Sequence, residues 1–273
     1  MIDNPDRQKT TQSLSAYEKA ALGGNDPRCV PLSPKILPVG ADIISPDYSE
    51  QENQIWKTLY KRQVEVLPGR AAKDFIHGLE VLDLPSERVP KLSVLSKTLS
   101  EVSNWQVART PGLLHEELFF ECLSKRIFPS TDYIRGSHEL DYTPAPDGFH
   151  DIFGHMPILC EPSFADFYQE YGRVSLNATG DDRRRLERFY WFTAEFGLIR
   201  EAEGLRIYGN GILSSYEETF YSLSDKVDHR AFDPYQMAEQ EYDVWHMQPL
   251  LYVIESYEEL KSGFQDLAKK LGV

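Results

Sequence analysis

His150 and His155 stand five residues apart in Pro146-Asp147-Gly148-Phe149-His150-Asp151-Ile152-Phe153-Gly154-His155-Met156-Pro157, and this spacing restricts the local backbone more than any other feature of the chain. On an ideal α-helix, side chains at i and i+5 point about 140° apart, because one turn takes 3.6 residues. Zinc peptidases place their histidines at i and i+4, on one helix face. A pair at i and i+5 converges only near a helix end or a distortion, and Gly154 and Pro157 are suited to provide one. Imidazole is the commonest side-chain ligand of first-row transition metals, so a close pair flanked by carboxylates invites a metal reading. On spacing alone, a surface or core-edge pair without metal stays open.

A third ligand has to come from elsewhere in the chain, and a carboxylate suits redox iron. Two histidines and one carboxylate on one face leave about three positions for oxygen, cosubstrate or water. Glu195 is the outstanding candidate. It sits in Phe189-Tyr190-Trp191-Phe192-Thr193-Ala194-Glu195-Phe196-Gly197-Leu198, an aromatic run in which an unpaired carboxylate is costly to bury. A metal ion would offset that cost, and so would an arginine across the core.

Around these segments the periodicity is mainly helical. Ser49 and Glu52 form a capping box before Ile55, Trp56, Leu59 and Tyr60, and further helices are expected at about 70–82, 92–103 and 114–126. Another begins near His150. Ser163 with Asp166 is expected to cap the next, and Asp181 or Asp182 to open one running to about Arg200. Ser214–Leu223 reads as helical, and Ser256 with Glu259 caps a terminal helix. Gln106–Ala108, Tyr133–Arg135, Leu205–Tyr208 and Leu250–Ile254 read as extended. The expected fold is mostly α with a few short β-strands, an α+β minor component, because helices do not alternate with strands as a doubly wound sheet requires. Residues 1–45 carry weak periodicity and several breakers and are expected to form an irregular arm; 46–273 form a single catalytic domain.

Charge and cysteine content narrow the partners. A net charge of −14 argues against nucleic acid and anionic membrane. No apolar run approaches the roughly 20 residues that span a bilayer, and Met1–Thr11 lacks the apolar core of a secretory signal. The cysteines Cys29, Cys122 and Cys160 suit reduced thiols better than a disulfide framework. The expectation is a soluble cytoplasmic protein acting on small molecules.

His150 and His155 within P-D-x-x-H-D-x-x-G-H-x-P are followed by Tyr190-Trp191-Phe192-Thr193-x-Glu195-Phe196-Gly197, then Tyr208-Gly209-x-Gly211-x-x-Ser214-Ser215, then Gln248-Pro249-Leu250. In order, spacing and identity this series resembles the pterin-dependent aromatic amino acid hydroxylases over roughly residues 105–257. Asp151 stands where animal members usually carry Glu, as in the short bacterial phenylalanine 4-hydroxylases. The resemblance implies that His150, His155 and Glu195 ligate Fe(II). It implies that Arg135, in Tyr133-Ile134-Arg135, holds the substrate carboxylate, a role that suits a planar guanidinium. Asp147 would orient Arg135, Thr143 and Ser214 would line the same end, and Trp191 and Pro146 would border the amino-acid pocket. Phe119 would stack on the pterin, with backbone contacts from Gly112 and Leu114 and with Asp151 at the pterin's edge. By residue type alone, Arg135 reads as a solvated charge and Trp191 and Phe119 as core aromatics. Tyr190, Phe192, Phe196 and Tyr216 are assigned to the core. His115 and His246 have no assigned role, and His77, His138 and His229 are surface residues.

The activity so implied is phenylalanine 4-monooxygenation, giving L-tyrosine from L-phenylalanine, O2 and a tetrahydropterin (tetrahydrobiopterin or a bacterial analogue) at a mononuclear non-haem Fe(II) site. Trp191 matches phenylalanine and tyrosine hydroxylases, where tryptophan hydroxylases usually carry Phe. Val244 takes a place where tyrosine hydroxylases usually carry Asp. Tryptophan or tyrosine hydroxylation is the nearest alternative; a zinc hydrolase on the same three ligands and a non-catalytic amino-acid sensor are more distant. The resemblance leaves no room for a regulatory domain before the catalytic one and shows no heptad tail after Gln248-Pro249, so a monomer or weak dimer with a hyperbolic response to phenylalanine is expected.

Overall fold

Ser49 starts the first long helix, α1 (Glu50–Val66), as its capping box requires: Glu52 N–H donates to Ser49 Oγ at 3.3 Å and Ser49 N–H donates to Glu52 Oε2 at 2.7 Å. The computed structural model describes Arg28, residues 30–141, Thr143, residues 145–243 and residues 246–273. Helix α1 buries Ile55, Trp56, Leu59, Gln63 and Val66, one stripe at helical spacing. Helices α2 (Lys73–Leu82) and α3 (Leu92–Ser103) follow, ending at Asp83 and Asn104, both with left-handed backbone at φ 45° and 60°.

Strand β1 (Gln106–Thr110), helix α4 (Glu116–Ser124) and strand β2 (Ile127–Thr131) then form a parallel crossover pair, in register from Gln106–Ile127 to Thr110–Thr131. The extended segment expected at Tyr133–Arg135 pairs with no strand; the ladder closes just before it, at Thr131. Helices α5 (Pro162–Ser175), α6 (Gly180–Tyr190) and α10 (Tyr257–Leu271) pack on one another, and α10 lies against a second sheet. That sheet has the order β4 (Gly204–Ile207), β3 (Leu198–Glu201), β6 (Leu250–Ile254), β5 (Asp228–Ala231); β3 runs antiparallel to β4, and β6 runs parallel to both its neighbours. Three short helices, α7 (Asn210–Leu213), α8 (Tyr216–Tyr221) and α9 (Pro234–Glu239), fill the connections between β4 and β6. The core is aromatic, and Phe164, Phe167, Tyr168, Tyr171, Phe189 and Phe264 interlock between α5, α6 and α10. Helix thus dominates, as expected, with six short strands among the described residues. No helix of the described residues is long and apolar enough to cross a membrane.

Two boundaries differ from the sequence expectation for identifiable reasons. The expected long helix to Arg200 stops at Tyr190 and widens into a π-helical turn before β3. At Gly197 a Cβ would fall 2.1 Å from the Tyr208 ring, so the chain leaves the helix where only glycine lets the two segments touch. Helix α5 is capped by Glu161, whose carboxylate accepts from Ser163 N–H at 3.0 Å with Pro162 at the first position, and not by Ser163. Asp166 instead binds Arg126 and Lys261.

Burial on α8 has a measurable consequence. Glu218 is pushed up to about 7 by desolvation and, less strongly, by Glu217. A carboxyl raised in the folded state stabilises fully below its unfolded value and loses that contribution as pH rises through the folded value. Urea unfolding should therefore show Glu218→Gln about 1–2 kcal/mol more stable than the parent at pH 8, after discounting for partial exposure, with the gap closing towards pH 4.5. A gap that does not change with pH would refute the burial argument.

Candidate active site

Residues His150–His155 form one π-helical turn and Trp191–Glu195 a second, the latter closed by Phe196 N–H donating to Trp191 O at 2.9 Å. In a π turn the hydrogen bond runs from i to i+5, which puts residues five apart on successive turns of one face. The spacing that no regular α-helix could satisfy is met here by a local change of helix type. Gly154 lies between the histidines because a Cβ there would approach Asn210 O to 2.8 Å, so α7 can press against the turn.

The two π turns face each other. His150 Nε2 and His155 Nε2 are 2.9 Å apart, Glu195 Oε1 is 3.3 Å from His155 Nε2, and Glu195 Oε2 is 3.8 Å from His150 Nε2. Ligand atoms about 2.1 Å from one ion and at right angles to each other would be about 3.0 Å apart, so the donor set fits one face of an octahedron. The outer nitrogens are engaged as metal ligands require. Ser214 donates to Asn210 O at 2.9 Å, so its oxygen accepts from His150 Nδ1–H at 2.8 Å and the Nε2 lone pair points inward. His155 Nδ1 lies 3.1 Å from the Tyr168 hydroxyl and 3.0 Å from the Asn210 amide. With the amide oxygen turned to that nitrogen, Nδ1–H gains an acceptor and the otherwise unpartnered, buried Asn210 Oδ1 is satisfied.

Charge states follow from burial and neighbours. Desolvation, then His155, pushes His150 down to about 4, which keeps it neutral near pH 7. Burial alone would raise Glu195, but His155, His150 and the Tyr190 hydroxyl outweigh it and hold the carboxyl at about 2. A neutral imidazole beside an anionic carboxylate is the state a divalent cation selects. Asp151 is a second carboxylate near both imidazoles, with ligand atoms of the three groups within 4.8 Å of one another. Its Oδ2 accepts from Thr131 N–H at 2.7 Å and burial pushes it up to about 7, so the closer, anionic Glu195 completes the set better.

Arg135 is buried and forked onto Asp147: Nε donates to Oδ2 at 2.9 Å, Nη2 to Oδ1 at 2.7 Å, and the Arg135 backbone N–H to Oδ2 at 2.9 Å. Burial would raise the Asp147 carboxyl, but the guanidinium outweighs it and holds the acid low. Two of the three guanidinium nitrogens are thus fixed, and Nη1 has no protein partner among the described residues. The loop carrying these groups is tied down by Tyr133, whose hydroxyl donates to Pro146 O at 2.7 Å, and by Thr143, which donates to Ala145 O at 3.0 Å. Trp191 stacks between Phe196 and Tyr242, with ring centres 4.5 and 4.4 Å away. On the other side, the half-buried Phe119 meets Tyr190 edge-on at 6.2 Å. Gly112 and Leu114 lie in the loop before α4, where Gly112 O accepts from Thr110 Oγ1 at 2.9 Å.

The biopterin-dependent aromatic amino acid hydroxylase family model matches residues 37–272. The chain belongs to this family. It is 45% identical to the phenylalanine-4-hydroxylase of Pseudomonas aeruginosa over 80% of this chain and 82% of that one. It superimposes on Chromobacterium violaceum phenylalanine hydroxylase with bound iron(III) and oxidised cofactor 7,8-dihydrobiopterin at TM-score 0.81 and 35% identity, covering 100% of this chain and 93% of that one. The iron- and phenylalanine-bound form of the same enzyme matches at TM-score 0.77 and 38% identity over 82% and 84%.

Most of the residues singled out from this hydroxylase sequence gather around the two π turns. Ser214, expected at the carboxylate end, spends its hydroxyl on His150 and Asn210. Arg135, a solvated charge by residue type, is buried, and Glu195 pairs with histidines and, among the described residues, with no arginine. Three contributors carry no sequence signal for the site: Tyr190 reads as core, Asn210 is the unspecified residue between Gly209 and Gly211, and Tyr168 lies on a helix without a local motif. Val244 and Trp245, which bear on selectivity, lie outside the described residues, as do Cys29 and residues 1–27.

Proposed function

We propose that this chain is a phenylalanine 4-monooxygenase, converting L-phenylalanine to L-tyrosine with O2 and a tetrahydropterin, and that His150, His155 and Glu195 hold its iron(II). The observation that carries this reading is the convergence of those three donors from two facing π turns, with pairwise separations of 2.9–3.8 Å. Iron(II), when bound with the tetrahydropterin, supplies the activation of oxygen. The chain supplies orientation and a dry site. Ser214 fixes the His150 ring so that Nε2 faces inward, and Tyr168 with Asn210 does the same for His155. Arg135 Nη1, left free by Asp147, binds the amino-acid carboxylate and so aims the ring towards the iron ligands. Thr143 and Pro146 line that end, and the Trp191 stack walls the ring pocket. Phe119, Gly112, Leu114 and Asp151 would hold the pterin. We also place the protein in the cytoplasm; the free, buried thiols of Cys122 and Cys160 support this.

The test is anaerobic reconstitution with iron(II) and a tetrahydropterin, followed by oxygen, with phenylalanine, tyrosine and tryptophan supplied separately and the products separated by chromatography. Tyrosine should form from phenylalanine faster than any product from the other two. Faster turnover of tryptophan or tyrosine would reassign the substrate. Activity with zinc and no pterin would replace the reading with a hydrolase.

A further inference from the structure

Ahead of α1, the chain lies against both loops assigned above to the two organic substrates. Leu32 N–H donates to Leu113 O and Leu32 O accepts from His115 N–H, each at 2.8 Å, so Leu32 is laced into the loop that carries Gly112 and Leu114. The Leu32 side chain also covers Gly112, at 3.5 Å from where a Cβ would stand. Arg28, four residues earlier, reaches the other loop. Its Nη1 and Nη2 donate to Glu139 Oε2 and Oε1 at 2.9 and 2.8 Å, a two-pronged charge-assisted pair. The Glu139 side chain is 3% exposed, and Oε2 also accepts from Gly136 N–H at 2.7 Å. Gly136 directly follows Arg135. The guanidinium offsets part of the cost of burying that carboxylate. A second tether on the same segment, Arg62 to Asp141 at 2.6 Å, ends on a carboxylate that is 67% exposed and is screened by solvent.

We infer that Arg28 is a positioning residue for the hydroxylation: through Glu139 it holds residues 136–141 in the form that presents Arg135 to the substrate carboxylate. Because Leu32 also grips the cofactor loop, Arg28 and Leu32 together couple the binding of phenylalanine to that of the pterin. The inference rests on the roles proposed for Arg135 and for Gly112 and Leu114, and its test separates the two.

Phenylalanine binding to iron(II)-loaded enzyme is measured anaerobically by calorimetry, with and without 7,8-dihydrobiopterin, and hydrogen exchange is followed over residues 136–141. Arg28→Ala should weaken phenylalanine binding about fivefold to tenfold, as loss of a partly buried charge-assisted pair implies, with kcat at saturation within about twofold. The dependence of that affinity on the pterin should shrink by a similar factor. Exchange should quicken at 136–141 while the aromatic core between α5 and α10 stays protected. Glu139→Gln should reproduce the effect, and the double variant should add nothing further. Arg62→Ala should change phenylalanine affinity less than about twofold. Wild-type affinity and exchange in Arg28→Ala would overturn the inference, as would faster exchange spread evenly over the core. If instead Arg135→Lys binds phenylalanine as tightly as the parent, the site reading itself fails.

Discussion

Glu195→Ala will lose the iron-dependent gain in melting temperature expected of the parent, and will form tyrosine at least about a thousandfold more slowly, because it removes the one anionic donor of the proposed three-ligand set. A ligand that binds only the folded chain stabilises it by about 2.7 kcal/mol at a hundredfold excess over its dissociation constant. The parent should show a shift of that order when iron(II) is added anaerobically; the variant should show little. Without metal the variant should melt somewhat lower than the parent near pH 7, since His155, His150 and the Tyr190 hydroxyl already outweigh the cost of burying the Glu195 carboxylate. The same titration on Asp151→Ala decides between the two carboxylates near the imidazoles. If Asp151→Ala loses the iron-dependent shift and Glu195→Ala keeps it, the metal sits on His150, Asp151 and His155 instead.

Asp147→Ala should cost about 3–5 kcal/mol of unfolding free energy in urea, the penalty for leaving a buried guanidinium without its carboxylate. It should also raise the KM for phenylalanine about a hundredfold, because three hydrogen bonds to Asp147 set the position of Arg135. The double variant with Arg135→Ala separates folding from recognition. Removing both charges should restore part of the stability, whereas phenylalanine binding should stay lost. Stability and KM that both remain at the parental level in Asp147→Ala would show that Arg135 is positioned by other groups. The KM for the tetrahydropterin should move less than that for phenylalanine, since the side-chain hydrogen bonds of Asp147 go to Arg135 and His150 and not to Phe119, Gly112 or Leu114.

Features that depend on local rules were legible in advance. The Ser49–Glu52 capping box, α1 and α3, β6 and the Ser256 cap follow from residues within one or two turns of each other. The misplaced boundaries were set by distant partners. Helix α6 ends early because Gly197 meets Tyr208, and the cap of α5 belongs to Glu161 because Asp166 is drawn to Arg126 and Lys261. Those contacts are tertiary, and they override local preference.

By itself the sequence determined the candidate donor types, their order and the paradox of their spacing. His150 and His155 at i and i+5 could converge only on a distorted helix, and Glu195 in an aromatic run called for a cationic partner, a metal or an arginine. Only the tertiary structure decided how both demands are met, through two facing π turns and outer partners that lie far away in the chain: Ser214, 64 residues from His150, and Asn210, 55 from His155. It also placed Arg28 on Glu139 across 111 residues. The physical reason is the same in each case. A sequence pattern reports which face of an element is apolar, whereas the pairing of buried polar atoms depends on which elements pack together, and unpaired ones are too costly to leave.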